Sequence, residues 1–237
     1  MLNIKTLLCS LLISSIDAFH LSCQQETNVE IGKDVTFECT FDCEGACDPA
    51  VKWEKEHVAG TLFEYRKNKS DFRKQNANYS GRIKVSERSI NNGKAFLTLR
   101  NVNIWDEGIY VCSVSTDSGY GDGFVHLFVW AAPDIQVFWN PNSEVLSCQS
   151  SGWYPEPEVE WMDKHGNNLN KSSEIKVMRE SIGFVNVSNN LKVDNEKNHY
   201  ICSKWHKWIQ TPKRIRVAFS DGKTLIHIND AKKSVDL

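Results

Sequence analysis

The stretch Cys148-Gln-Ser-Ser-Gly-Trp-Tyr-Pro-Glu-Pro-Glu-Val-Glu-Trp161, closed by Tyr200-Ile-Cys202, repeats a pattern that appears upstream as Cys39, Trp53 and Asp106-Glu-Gly-Ile-Tyr-Val-Cys112. Each set holds a tryptophan between two distant cysteines and a tyrosine two residues before the second cysteine. Two facing β-sheets joined by one disulfide use all of these features: the tryptophan packs on the bridge, and the tyrosine anchors a strand corner. The repeat predicts two tandem sandwiches with bridges Cys39–Cys112 and Cys148–Cys202.

The cysteine intervals separate the two. The first spans 73 positions, which leaves room for two extra strands, expected within residues 61–73. The second spans 54 and has no such room. The fold class is therefore all-β: a variable-type immunoglobulin-like domain over residues 19–132, then a constant-type domain over 133–220 and a polar tail over 221–237. Period-two alternation supports the strands. Val35, Phe37, Cys39 and Phe41 point one way, Val51 and Trp53 face inward, and so do Val125, Leu127 and Val129. In the second domain, strands are expected near residues 144–150, 159–163, 181–187, 200–204 and 214–219. Ala131-Ala-Pro133 leaves almost no linker between the domains.

Residues 1–18 read as a secretory leader: Lys5, then a mostly apolar stretch too short to span a bilayer, then a small residue at Ala18. No later stretch approaches the roughly 20 apolar residues of a membrane helix. The expected product is extracellular, either secreted or the ectodomain of a cell-surface protein. Lys and Arg number 28 against 30 Asp and Glu, which gives no broad electrostatic case for nucleic acid or an anionic membrane.

Catalysis has no motif behind it: there is no phosphate-binding glycine loop, no paired-histidine helix and no nucleophile elbow. No cofactor is expected. Cys43 and Cys47 with His57 fall short of the four tightly spaced ligands of structural zinc, and an oxidising compartment favours a disulfide. Once Cys9 leaves with the leader and the two core bridges form, Cys23, Cys43 and Cys47 remain. Cys43–Cys47 is the favoured pair because it closes a short loop. Cys23 would then be free to link a homodimer, while a bridge from Cys23 to Cys43 or Cys47 is the competing arrangement.

The run from Cys148 to Trp161 resembles the second-domain signature of the butyrophilin and T-cell costimulatory-ligand family of the immunoglobulin superfamily. Ala95-Phe-Leu-Thr-Leu-Arg-Asn-Val, the Asp106–Cys112 corner and Val129-Trp-Ala-Ala-Pro133 extend the resemblance over nearly the whole mature chain. Lys204 departs from it, standing where the family pattern has an apolar residue. The resemblance implies a ligand that engages a lymphocyte surface receptor and modulates T-cell activation, and a cis bond between Tyr154 and Pro155. A homophilic adhesion module, or a soluble decoy of host or pathogen origin that captures an immune ligand, is the alternative.

Alternation turns Phe124, His126 and Phe128 outward from the last strand of the first domain. Phe63, Tyr65 and Tyr120 are expected to join them in a receptor-binding face, since outward aromatics grouped on one sheet make good interface anchors. Sequons at Asn68, Asn78, Asn170 and Asn186 mark candidate glycosylation sites.

Overall fold

Apolar–polar alternation, rather than helical periodicity, governs nearly every element of this chain. A computed structural model describes residues 19–43, 47–193, 198–220 and 225–227. The expected leader lies outside these residues, as does all of the expected tail except 225–227. The strands in chain order are β1 (Leu21–Cys23), β2 (Glu26–Glu30), β3 (Val35–Phe37), β4 (Cys39–Phe41), β5 (Ala50–Lys55), β6 (Phe63–Arg66), β7 (Lys69–Asp71), β8 (Ile83–Val85), β9 (Leu97–Leu99), β10 (Gly108–Thr116) and β11 (Gly119–Trp130). They continue with β12 (Gln136–Asn140), β13 (Val145–Trp153), β14 (Glu158–Asp163), β15 (Ser173–Arg179), β16 (Val185–Lys192), β17 (His199–Trp205), β18 (Lys213–Phe219) and β19 (Leu225–His227).

The sheets are ordered β2-β11-β10-β5-β6-β7, β3-β9-β8 and β1-β4 in the first half of the chain. In the second half they are β12-β13-β16-β15 and β14-β17-β18-β19. Two compact units result: one of residues up to Gln25 with Thr36–Thr98 and Ile109–Val125, the other of Glu26–Val35, Leu99–Gly108 and His126–Leu237.

In the first unit the core is organised around Trp53. Its Cα neighbours across the sheet are Cys112 on β10 and Phe63 on β6. The Phe37 ring lies 5.9 Å from that of Trp53 and 4.3 Å from that of Tyr110. The two additional strands expected within residues 61–73 are β6 and β7. On β11, a Cβ at Gly119 would lie 2.5 Å from the Cβ of Phe19, and one at Gly123 would lie 2.2 Å from the Cys23 sulfur. Glycine there lets the N-terminal segment pack against the strand backbone.

The structure corrects the first bridge. β1 pairs with β4 so that Cys23 stands opposite Cys39, with Cα atoms 4.1 Å apart, and these two residues form the disulfide. Cys112 stays a buried free thiol, and burial pushes its pKa up. The cysteine–tryptophan spacing carries no information about the β1–β4 pairing, which brings a third cysteine to Cys39. With Cys23 engaged, it is not the free thiol that the expected covalent homodimer requires. Cys43 is bonded to Cys47, which also removes both sulfurs as zinc ligands.

In the second unit, Trp161 on β14 stands opposite Cys202 on β17, and Cys202 is bridged to Cys148 on β13. The Trp161 indole N–H donates to the Asn189 carbonyl at 3.0 Å. Around them pack Val137, Leu146, Leu191, Tyr200 and Val217. The Tyr154–Pro155 bond is cis. The strand expected at residues 181–187 begins later and runs Val185–Lys192, and β15 was not anticipated. β15 is an edge strand exposed on most of its length, so the alternation that marks a half-buried strand is faint. Residues 225–227, expected in a tail, form β19 against β18.

Lys204 is fully buried in this core. Its ammonium donates to the Ser150 hydroxyl at 2.8 Å, the Val187 carbonyl at 3.0 Å and the Cys148 carbonyl at 3.3 Å. These acceptors use all three of its protons, but no carboxylate is among them, and desolvation lowers its pKa from 10.5 to about 8. Folding therefore expels a proton between about pH 8 and 10.5, so stability rises with pH across that window and is flat below it.

Two outcomes are expected. Alkylation of the denatured, unreduced protein should label Cys112, with peptide mapping recovering Cys23–Cys39, Cys43–Cys47 and Cys148–Cys202; a Cys39–Cys112 peptide would refute the pairing. For Lys204→Met, denaturant melts at pH 7 should shift by no more than about 1 kcal/mol, because removing the desolvation penalty offsets the lost hydrogen bonds. The variant should also lose the stability gain of the native chain between pH 8 and 10. A gain that persists in the variant assigns it to another group.

Candidate interaction face

The outward side of the six-stranded sheet follows from the inward side. Within the first unit, Val51, Trp53, Cys112 and Val114 point into the core. Lys52 and Glu54 on β5, Glu64 and Arg66 on β6, and Ser113 and Ser115 on β10 therefore face out, with Tyr120, Asp122 and Phe124 on β11. Lys52 pairs with Glu54 at 2.7 Å and stands opposite Glu64, whose carboxylate lies 3.9 Å from the Arg66 guanidinium. The charges balance locally, and the apolar area of this face gathers on β11.

Tyr120 is 63% exposed and Phe124 54%. The Tyr120 hydroxyl donates to the Asp122 carboxylate at 2.6 Å. That carboxyl is held below the usual carboxylate range by hydrogen bonds from Ser113 and then Tyr120, with a smaller contribution from Lys52. A tyrosine tethered in this way loses less side-chain freedom on binding than a free one. Ala50, Lys52, Arg66, Ser113, Ser115 and Tyr120 line a shallow depression beside it. The arrangement suits contact with a protein surface: aromatic anchors edged by satisfied polar groups.

Of the aromatics expected on this face, Phe63 and Tyr65 are not there. Both are fully buried, because Phe63 stands opposite Trp53 and Tyr65 opposite Val51, which places them on the core side of β6. The signal that would have excluded them is the parity inherited from Trp53, which needs the β5–β6 register and not composition. His126 and Phe128 point outward as alternation requires, but lie in the second unit. Their rings are 4.0 Å apart, and Phe128 stacks on Trp208 at 4.7 Å with the Lys207 ammonium 5.3 Å from its centre. Tyr120 and Phe124 thus remain open among the aromatics named from sequence. Sequence reasoning missed Asp122, although a tyrosine and an aspartate two apart on a strand share a face. It also missed Phe72, 43% exposed, with its ring 5.5 Å from that of Phe63.

The four sequons differ in setting. Asn68 and Asn78 are exposed. The Asn170 side chain is woven into the fold, accepting from the Trp161 amide at 2.9 Å and donating to the Val159 carbonyl at 3.2 Å. Asn186 accepts from the Gly152 amide and donates to Glu180, both at 3.0 Å.

Comparison with known proteins gives this geometry a context. The immunoglobulin V-set domain model matches residues 23–130, and the model of the butyrophilin subfamily 3 member A2-like Ig-C domain matches residues 131–214. The V-set domain-containing T-cell activation inhibitor 1 of Rattus norvegicus is 32% identical over 174 residues, which cover 70% of this chain and 62% of that protein. Butyrophilin subfamily 1 member A1 of Homo sapiens is 30% identical over 149 residues, covering 61% of this chain and 28% of that protein. The matched region is thus less than two thirds of the length of either relative. A crystal structure of bovine butyrophilin superposes with a TM-score of 0.71 at 24% identity, covering 85% of this chain and 98% of that one, a likeness of fold. Among the described residues, no helix is long and apolar enough to cross a membrane.

If the folded geometry decides which sequons carry sugar, glycopeptide mapping of protein from a secreting eukaryotic host should find Asn68 and Asn78 occupied and Asn170 bare. Full occupancy at Asn170 would contradict the hydrogen bonds that hold its amide.

Proposed function

The chain belongs to the butyrophilin and T-cell costimulatory-ligand family of the immunoglobulin superfamily, and from that premise we propose that it is an extracellular ligand that binds a lymphocyte surface receptor through the β11 side of its first domain. It is not an enzyme; its domains are those of non-enzymatic immune proteins. The observation that carries the reading is the pair of exposed aromatics, Tyr120 and Phe124, on a sheet whose other outward groups are charge-balanced. Three disulfides support an oxidising, extracellular setting. We take the effect on T-cell activation to be restraint, since the rat relative is named as an activation inhibitor.

The mode of action follows from the surface. Burying Tyr120 and Phe124 in a receptor pocket supplies the anchor energy, while the Lys52–Glu54–Glu64–Arg66 array offers opposite charges that set orientation more than affinity. The outcome rests on which receptor is occupied and on whether a stimulatory ligand is kept from it.

The test is staining of lymphocytes by the purified monomer, with T-cell proliferation as the functional readout. Phe124→Ala should weaken binding by about 1–3 kcal/mol, and Tyr120→Ala by a similar amount, as loss of an anchor usually does. Folding should survive in both, because inward Val125 and Val114 are untouched; Phe63→Ala should instead unfold the domain by opening a cavity beside Trp53. Self-association that Phe124→Ala abolishes, with no lymphocyte staining, would replace the receptor reading with the homophilic one.

A further inference from the structure

The second unit carries an edge strand whose outer side pairs with no other strand among the described residues. β15 is hydrogen-bonded to β16 along an unbroken register from Ser173–Leu191 to Arg179–Val185, and among the described residues its other edge pairs with nothing. Proteins usually protect such an edge with proline, a bulge or charged side chains, lysine above all. β15 has no proline and no bulge, and its charges, Glu174, Lys176 and Arg179, are of both signs, so they can pair across two copies of the same edge as well as repel. Ile175 has the parity of core-facing Val177 and stands opposite fully buried Asn189, yet 46% of its surface is exposed, because no neighbour lies beyond it.

We propose that β15 is a self-association edge, where two copies of this chain pair antiparallel about a twofold axis at Ile175. Symmetry fixes what such a pairing brings together. A twofold axis normal to the sheet keeps like faces together, so residues of equal parity stand opposite one another. With the axis at Ile175, the two isoleucines meet and cover each other. Glu174 of each copy then faces Lys176 of the other, and Ser173 faces Val177. Moving the axis by one residue to Lys176 would oppose lysine with lysine. Moving it to Val177 would oppose Glu174 with Glu180. The charge pattern of the strand is therefore self-complementary in one register and repulsive in its neighbours. Within a single copy, Glu174 and Lys176 already lie 3.6 Å apart on the outward face, placed to exchange partners across the twofold. Pairing would extend the four-stranded sheet to eight strands and satisfy the free backbone groups of both edges. The contact is short, so a weak, concentration-dependent dimer is expected. It is separate from the receptor-binding face and independent of that reading.

Sedimentation equilibrium of the full chain across a wide concentration range is the measurement. A monomer–dimer equilibrium is expected. Glu174→Lys should weaken it about tenfold by setting lysine against lysine at both symmetric positions. The charge swap Glu174→Lys with Lys176→Glu should restore it, and Ile175→Asn should abolish it. Near-ultraviolet circular dichroism serves as the folding control, since the two charged positions are exposed. A chain that stays monomeric throughout, a dimer indifferent to Glu174→Lys, or a swap that fails to restore association would each overturn the proposal.

Discussion

The packing of two buried tryptophans against the strands opposite them is the constraint from which the remaining surfaces follow. Trp53 stands across from Cys112, and Trp161 across from Cys202. Side chains alternate along a strand, so once these pairs are set, every residue of the neighbouring strands is assigned to core or solvent, and a slip of one residue would invert both faces. Burying a large aromatic side chain is worth several times the thermal energy, while exposing it in a slipped register forfeits that term and strands its polar neighbours inside. Tyr120 and Phe124 are outward because Val125 and Leu127 are inward, and those are inward because β10 carries Cys112 and Val114 into the Trp53 core. The candidate face is thus a by-product of core parity.

The second core shows the same constraint accommodating polar groups. Ser150 accepts from both the Trp153 indole N–H, at 2.7 Å, and the Lys204 ammonium. One hydroxyl thus joins an aromatic to a buried cation. Asn189, also fully buried, has no partner for its side-chain amide among the described residues. Buried polar groups ordinarily find partners, so these two neighbours represent opposite solutions. Lys204 is retained at the expense of a proton equilibrium shifted toward the neutral form, whereas Asn189 contributes mainly through its backbone carbonyl, which holds Trp161. An apolar residue at 204 would avoid the first cost but leave the acceptors around it to find other donors.

Much of this architecture was legible from sequence because it depends on residues that must lie at set intervals. The spacing of the cysteines, the central tryptophans and the corner tyrosines announced two sandwiches, and the unequal intervals separated variable-type from constant-type, although only the second expected core bridge is formed. What stayed hidden depends on pairing between strands distant in sequence. The β1–β4 alignment that brings Cys23 to Cys39 has no local signature. The inward parity of Phe63 and Tyr65 requires the β5–β6 register, since either face of a short strand can hold aromatics. β15 escaped because an edge strand exposed along most of its length, with only Ser173 and Val177 half-buried, loses the alternation by which strands are recognised. Lys204 was visible as an anomaly in the constant-type pattern, but only the fold shows three acceptors converging on it.

One strand unites the structural and functional arguments for the first unit. Along β11, Gly119, Gly121 and Gly123 alternate with Tyr120, Asp122 and Phe124, so one side is bare backbone and the other carries the candidate anchors. Glycine within a strand is normally destabilising, because it has more conformational freedom to lose and no side chain to pack. Here the missing side chains are replaced by Phe19, Leu21 and Cys23, which approach so closely that added Cβ atoms at Gly119 and Gly123 would collide with them. The N-terminal segment therefore serves as the inner packing surface beneath the aromatic face, and the Cys23–Cys39 disulfide fastens that segment to β4. The rigidity available to Tyr120 and Phe124 as anchors comes from this covalently held filler, since the strand that displays them has almost nothing of its own facing the core at that end.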